Sequence, residues 1–283
     1  MQVDNTIVLI TGASEGIGCA IAAALRRRGA KISACALPGA RWELPAGDGV
    51  EQFEGDIADA NFRRFWVEAT IERLGRIDGL INNAGIGLYA PPTKAPLDQV
   101  RRLFEVNVFA PLALAQLVAP ALRRNGAGFI VNIGSVGGKV SLPWAAMYCA
   151  SKFALHAIND SLRRELSADG IHVMKVCPGI VETRFREHVL SGVAPDPVSG
   201  IRRTVTPAQV AEAVARGIER NARTVYAPRI GKLFTGLEEI SSRVMDWYIA
   251  RKWNAANSEA QNAGIDQHEA AAGQRSVKVT FRG

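Results

Sequence analysis

The sequence predicts a three-layer α/β/α fold on a doubly wound parallel sheet, in one domain with a helical extension at its C-terminal end. Short continuous apolar runs, such as Lys31–Ala36 and Gly128–Ile133, alternate with longer stretches of helical periodicity. The glycine-rich and polar segments follow the apolar runs, so in a parallel sheet they collect at one edge.

Taken in order, residues 6–10 form a first buried strand. The turn Thr11-Gly12-Ala13-Ser14-Glu15-Gly16-Ile17-Gly18 follows, and a helix over 19–28 comes next. Gly12 permits the tight turn, Gly16 lets backbone approach a pyrophosphate, and Gly18 lets helix and strand pack closely. The helix N-terminus then offers N–H groups to phosphate. The second strand, Lys31–Ala36, ends at Ala36-Leu37 with no acid to meet an adenosine ribose, and Arg41 follows in the loop as a partner for a 2′-phosphate. Against that stands Glu15, where a basic residue would favour the phosphorylated dinucleotide. The third strand spans 49–54 and leads to Asp56-Ile57, where Asp56 serves either an adenine amino group or a helix cap. A helix over 59–74 and a strand over 77–81 lead to Asn82-Asn83-Ala84-Gly85, whose small residues let a ribose lie against backbone. Residues 96–124 read as one helix, with Asn107 between Val106 and Val108 in a buried, hydrogen-bonding position.

The fifth strand delivers Ser135 to the same edge. Tyr148 and Lys152 then lie four residues apart on a helix over 148–167, so they share a face. An ammonium beside a phenol favours the phenolate and tunes Tyr148 toward acid/base work. The Ser135 hydroxyl is placed to hydrogen-bond the same substrate oxygen. A strand over 171–177 precedes Pro178-Gly179, and Thr183 beyond it either meets a carboxamide or starts a helix. A helix over 207–221 and a last strand, Thr224–Ala227, complete the pattern.

These motifs, in this order and spacing over residues 5–227, resemble the short-chain dehydrogenase/reductase family. The resemblance implies a Rossmann fold that binds a nicotinamide dinucleotide, with Tyr148 as general acid/base and Ser135 positioning the substrate oxygen. It implies that Lys152 binds the nicotinamide ribose and that Asn107 holds a proton-relay water. The implied cofactor contacts are Gly12, Ser14, Glu15, Gly16, Ile17, Gly18, Arg41, Asp56, Ile57, Asn83, Ala84, Gly85, Tyr148, Lys152, Pro178, Gly179, Val181 and Thr183, with NADP(H) favoured over NAD(H). It further implies a homodimer or homotetramer.

Residues 184–204 are expected to form a mostly apolar substrate loop, which suits a hydrophobic alcohol or ketone. An amphipathic helix over 236–252 is expected to pack over the substrate mouth or a partner subunit in preference to a membrane surface, and 254–283 is a polar tail expected to be disordered. Its Val277, Val279 and Phe281 alternate as in a strand. The net charge of +7 is scattered in short arginine clusters without a nucleic-acid module, so no nucleic-acid partner is expected. No run of about 18 apolar residues and no signal peptide is apparent. The four cysteines lack metal or disulfide spacing, which suits free thiols in the cytoplasm, and no metal is expected. Two other readings compete. Gly12-Ala13-Ser14-Glu15-Gly16 matches the nucleophile elbow of an α/β-hydrolase with Ser14 as nucleophile, and a catalytically silent cofactor-binding regulator or scaffold would keep the same fold.

Overall fold

The computed structural model describes residues 2–47, 49–192 and 204–262. The strands are β1 (Ile7–Thr11), β2 (Lys31–Ala36), β3 (Val50–Glu54), β4 (Gly79–Asn82), β5 (Gly128–Ile133), β6 (Ile171–Pro178) and β7 (Thr224–Ala227). They form one parallel sheet in the order β3-β2-β1-β4-β5-β6-β7. The chain reverses its direction of travel between β1 and β4, and the crevice at that reversal is where ligands bind in such sheets.

Alternate strand residues feed the two sides of the sheet. Val8, Ile10, Val131 and Val176 pack against α1 (Gly16–Arg26) and α6 (Pro207–Glu219) through Ile21, Leu25, Val210 and Val214. Leu9, Leu80, Ile130 and Val173 face the other way, toward α2 (Ala60–Leu74) and the helical run 97–124, with Trp66, Leu114, Val118 and Leu122 at the contact. Much of the arginine charge is paired: Arg28 bonds Glu212 and Glu219 between α1 and α6, and Arg123 bonds Asp169.

The single helix read over 96–124 is in fact α3 (Leu97–Phe104), a π-helical turn at Glu105–Phe109, and α4 (Ala110–Arg124). This run is long and apolar enough to cross a membrane, but it packs against the sheet as core. α1 begins at Gly16, not at 19, because Gly16 and Gly18 belong to its first turn. α5 (Ala146–Glu165) carries Tyr148 and Lys152. The expected helix over 236–252 is two helices, α7 (Gly231–Ile240) and α8 (Ser242–Asn262), separated at Ser241 by extended backbone (φ −152°). Their inner faces pack on the segment after β5, where Met245, Ile249 and Phe234 meet Val140 and Leu142. The 193–203 part of the substrate loop and the alternation at 277–281 lie outside the described residues.

Candidate active site

A cavity of about 480 Å³ opens at the carboxyl edge of the sheet. One wall is the turn after β1. Gly12 (φ +61°) and Gly16 (φ +58°) take left-handed backbone there, which glycine adopts without strain. Glu15 holds the N-cap position of α1 but makes no side-chain cap bond, which leaves N–H groups of the first turn directed at the cavity. Gly18 lies behind that wall, not in it. A methyl group there would overlap the Gly12 carbonyl oxygen and the Asn83 amide. Asn83 locks the turn from β4: its Nδ2 donates to the Thr11 and Gly12 oxygens at 2.9 Å, and its backbone N–H donates to Thr11 Oγ1 at 2.9 Å. Thr11 Oγ1 also accepts from Ala84 N, so this buried hydroxyl, absent from the expected set, joins the two strand ends.

Ser14, Ile17, Ile57, Ala84, Gly85, Pro178, Gly179, Val181 and Thr183 all reach the cavity wall. Asp56 does so while capping Ala58 N and pairing with Arg102, a lining residue the sequence did not suggest. Thr183 caps the 3₁₀ turn Arg184–Glu187 through Phe185 N. Arg41 is exposed and contributes nothing to the cavity wall, because the loop carries it past the rim and turns Ala40 inward instead. The Glu15 carboxylate is bound by Arg184 and His188 of the segment after β6.

At the other end stand Ser135, Tyr148 and Lys152. Ser135 Oγ accepts from Gly137 N at 3.0 Å as it caps the following 3₁₀ turn, and it stands beside the Tyr148 phenol in the cavity wall. Lys152 is buried, donates to the Ile133 carbonyl at 3.1 Å, and stands 5.8 Å from the centre of the Tyr148 ring. Burial brings its pKa down to about 8. The Tyr148 phenol is pushed well up, first by burial and then by the neighbouring Tyr89, while Ser135 opposes the shift. The expected lowering of the phenol by Lys152 is not seen: burial dominates, and the ammonium, itself desolvated, is not among the groups that act on it. Asn107 is fully buried and lies behind the cavity wall. Its Oδ1 accepts from Ile86 N at 2.9 Å, and its Nδ2 donates to Ile86 O at 3.0 Å and Ser151 Oγ at 3.1 Å. The side chain thus pins the loop after β4 to α5, and the π turn is what brings it there.

The substrate end is walled by Tyr89, Leu142, Cys149, Phe185 and Phe234. The Tyr89 and Phe185 rings lie 6.2 and 6.0 Å from that of Tyr148. Tyr89 and Cys149 were not expected there: Tyr89 sits in a loop without periodicity, and Cys149 is buried against Tyr89 and Ala145 behind the wall it contributes to. The described histidines do not serve Ser14 as a base. His188 bonds Glu15, His156 is buried one turn beyond Lys152 against Cys177, Gly134 and Gly138, and His172 lies at the start of β6, away from the carboxyl edge. Among the described residues the elbow reading therefore lacks its second member. No cluster of metal-ligating side chains occurs among the described residues.

A glycine turn with free helix N–H groups, small residues opposite, and a Ser–Tyr–Lys group at one end fit an extended dinucleotide beside an acid/base centre. The short chain dehydrogenase family profile matches residues 6–193, and the chain belongs to that family. A ketoacyl reductase, HetN, of a Nostoc species is 29% identical over 89% of this chain and 92% of its own length. A short chain dehydrogenase from Burkholderia cenocepacia, solved with NADP, superposes with a TM-score of 0.76 at 26% identity over 88% of this chain and 99% of its own. A 3-ketoacyl-(acyl-carrier-protein) reductase from Brucella melitensis, solved with NADH, gives 0.73 at 26% identity over 79% and 97%. The protein is an NAD(P)-dependent oxidoreductase acting on CH–OH groups.

Proposed function

We propose that the protein interconverts a hydrophobic secondary alcohol and its ketone, with Tyr148 as the general acid/base. The observation that carries this reading is the meeting of Ser135, Tyr148 and Lys152 at the aromatic end of a cavity whose other end is a glycine turn. A bound nicotinamide supplies or takes the hydride at the carbinol carbon. In reduction, Tyr148 gives its phenolic proton to the carbonyl oxygen while Ser135 Oγ holds that oxygen in place. A phenol is protonated at neutral pH at its ordinary pKa, so Tyr148 has this proton to give. Lys152 holds the nicotinamide ribose, and the Asn107 segment anchors the relay that returns a proton to the site. Gly12, Gly16, Ile17, Asn83, Gly85, Gly179 and Thr183 hold the dinucleotide, and Leu142, Phe185 and Phe234 select an apolar substrate.

NADP(H) is the favoured dinucleotide. No acid stands at the end of β2, at Ala36-Leu37, and Arg184 pairs with the one acid in the glycine turn, Glu15. Phe109 and Phe153 are exposed on the π turn and on α5, which suits a homodimer or homotetramer built on that face. The four cysteines are unpaired, which suits the cytoplasm. The test is Tyr148→Phe assayed against a panel of apolar ketones with NADPH. Loss of at least about a thousandfold in kcat with cofactor affinity retained is expected, and undiminished turnover would remove Tyr148 from the chemistry.

A further inference from the structure

Two successive helices at the C-terminal end are apolar on both faces. On α7 the inward positions Gly231 and Thr235 are buried, whereas Leu233, Leu237 and Ile240, at i, i+4 and i+7, point outward. On α8 Met245 and Ile249 are buried, whereas Val244 and Trp247 point outward. Leu233, Ile240 and Trp247 are 73, 85 and 62% exposed, which no soluble helix face requires. From the structure we infer that this outer face of α7 and α8 docks on an anionic lipid surface.

Charge selects the lipid over a second copy of the chain. Arg229, Lys232, Arg243, Arg251 and Lys252 are exposed among these apolar residues, and none forms an ion pair among the described residues. The exposed acids nearby are Asp246 and Glu239, and Glu239 is already bound to Lys139. A two-fold contact would set this basic surface against itself, whereas anionic headgroups meet it with opposite charge. Arg251 also lies over the Trp247 ring at 5.7 Å, so an amphipathic ring and a cation sit together, as they do at a lipid interface. Attachment is held off the active site by the inner faces: Lys139 anchors Glu239, and Gly231 seats on Val136.

The docked face and the cavity share one helix. Ile230, Gly231 and Phe234 line the cavity at the N-terminal end of α7. Docking therefore brings the lipid surface to the same short helix that walls the cavity, so an apolar alcohol or ketone held in the bilayer has a short path to the site. This entry route rests on the proposed function, but the docking does not.

The test is co-sedimentation of the full chain with vesicles of equal parts phosphatidylglycerol and phosphatidylcholine, and with phosphatidylcholine alone, at about 0.1 M salt. Binding to the anionic vesicles, weakening as salt rises, is expected. Ile240→Glu/Trp247→Glu should lower that partition at least tenfold, while Leu97→Glu, exposed elsewhere, should leave it unchanged. Both variants should keep wild-type melting temperature and NADPH affinity, which separates failure of docking from failure of the cofactor reading. Absence of wild-type binding, equal binding by the double variant, or a dimer dispersed by it in light scattering would overturn the proposal.

Discussion

Lys152 is expected to reduce the stability of the fold that contains it, and replacing it with methionine should stabilise the protein. Its ammonium is buried, and desolvation lowers its pKa from 10.5 to about 8. That difference corresponds to roughly 3 kcal/mol of penalty on the charged form. Methionine forfeits the bond to the Ile133 carbonyl, which offsets about 1 kcal/mol. A net gain of about 2 kcal/mol, or about 4–8 °C in Tm, should appear at pH 7 without cofactor. The sign of the pH dependence follows from the lowered folded-state pKa. Below pH 8 the lysine is charged in both states and the penalty is complete. Between pH 8 and 10.5 the folded protein sheds the proton while the unfolded chain keeps it, so wild type recovers and its gap to Lys152→Met narrows. Thermal melts of both proteins from pH 7 to 10.5 check this. A variant less stable at pH 7, or a gap that does not change with pH, would refute the reasoning.

Gly18→Ala should destabilise the protein by about 3 kcal/mol, because the new methyl has only the Gly12 carbonyl and the Asn83 amide to displace; urea melts report it, and dinucleotide affinity should fall with it. Asn107→Ala should also cost about 3 kcal/mol, since Ile86 N and O both lose a buried partner. Gly18→Ala should leave the Tm gap between wild type and Lys152→Met within a degree or so, whereas Asn107→Ala should change it, because Asn107 Oδ1 and Lys152 Nζ both approach Gly85.

Most of the sheet was legible because parallel strands must be continuously apolar, and β2 and β5 fall where their apolar runs do. The Tyr148–Lys152 pair was legible because four-residue spacing on a helix puts the two on one face. The phenol shift was not, since it depends on how much protein, Tyr89 included, crowds the ring. Asn107 announced itself as a polar residue in an apolar stretch, but the π turn around it needs Ile86 and Ser151, which come from distant segments. Arg41 and Arg102 show the limit for charges: loop geometry sends the first outward and brings the second, from α3, to Asp56. The C-terminal helices were read as one amphipathic element because periodicity marks apolar positions without saying which face the core takes.

The most direct test of the account is titration of the purified protein with NADPH and, separately, NADH, followed by nicotinamide fluorescence. Saturable binding, tighter for NADPH, is the predicted result, and it should weaken in Gly18→Ala. Binding of neither dinucleotide by the folded protein would contradict the assignment of the glycine turn and, with it, the oxidoreductase reading of the site.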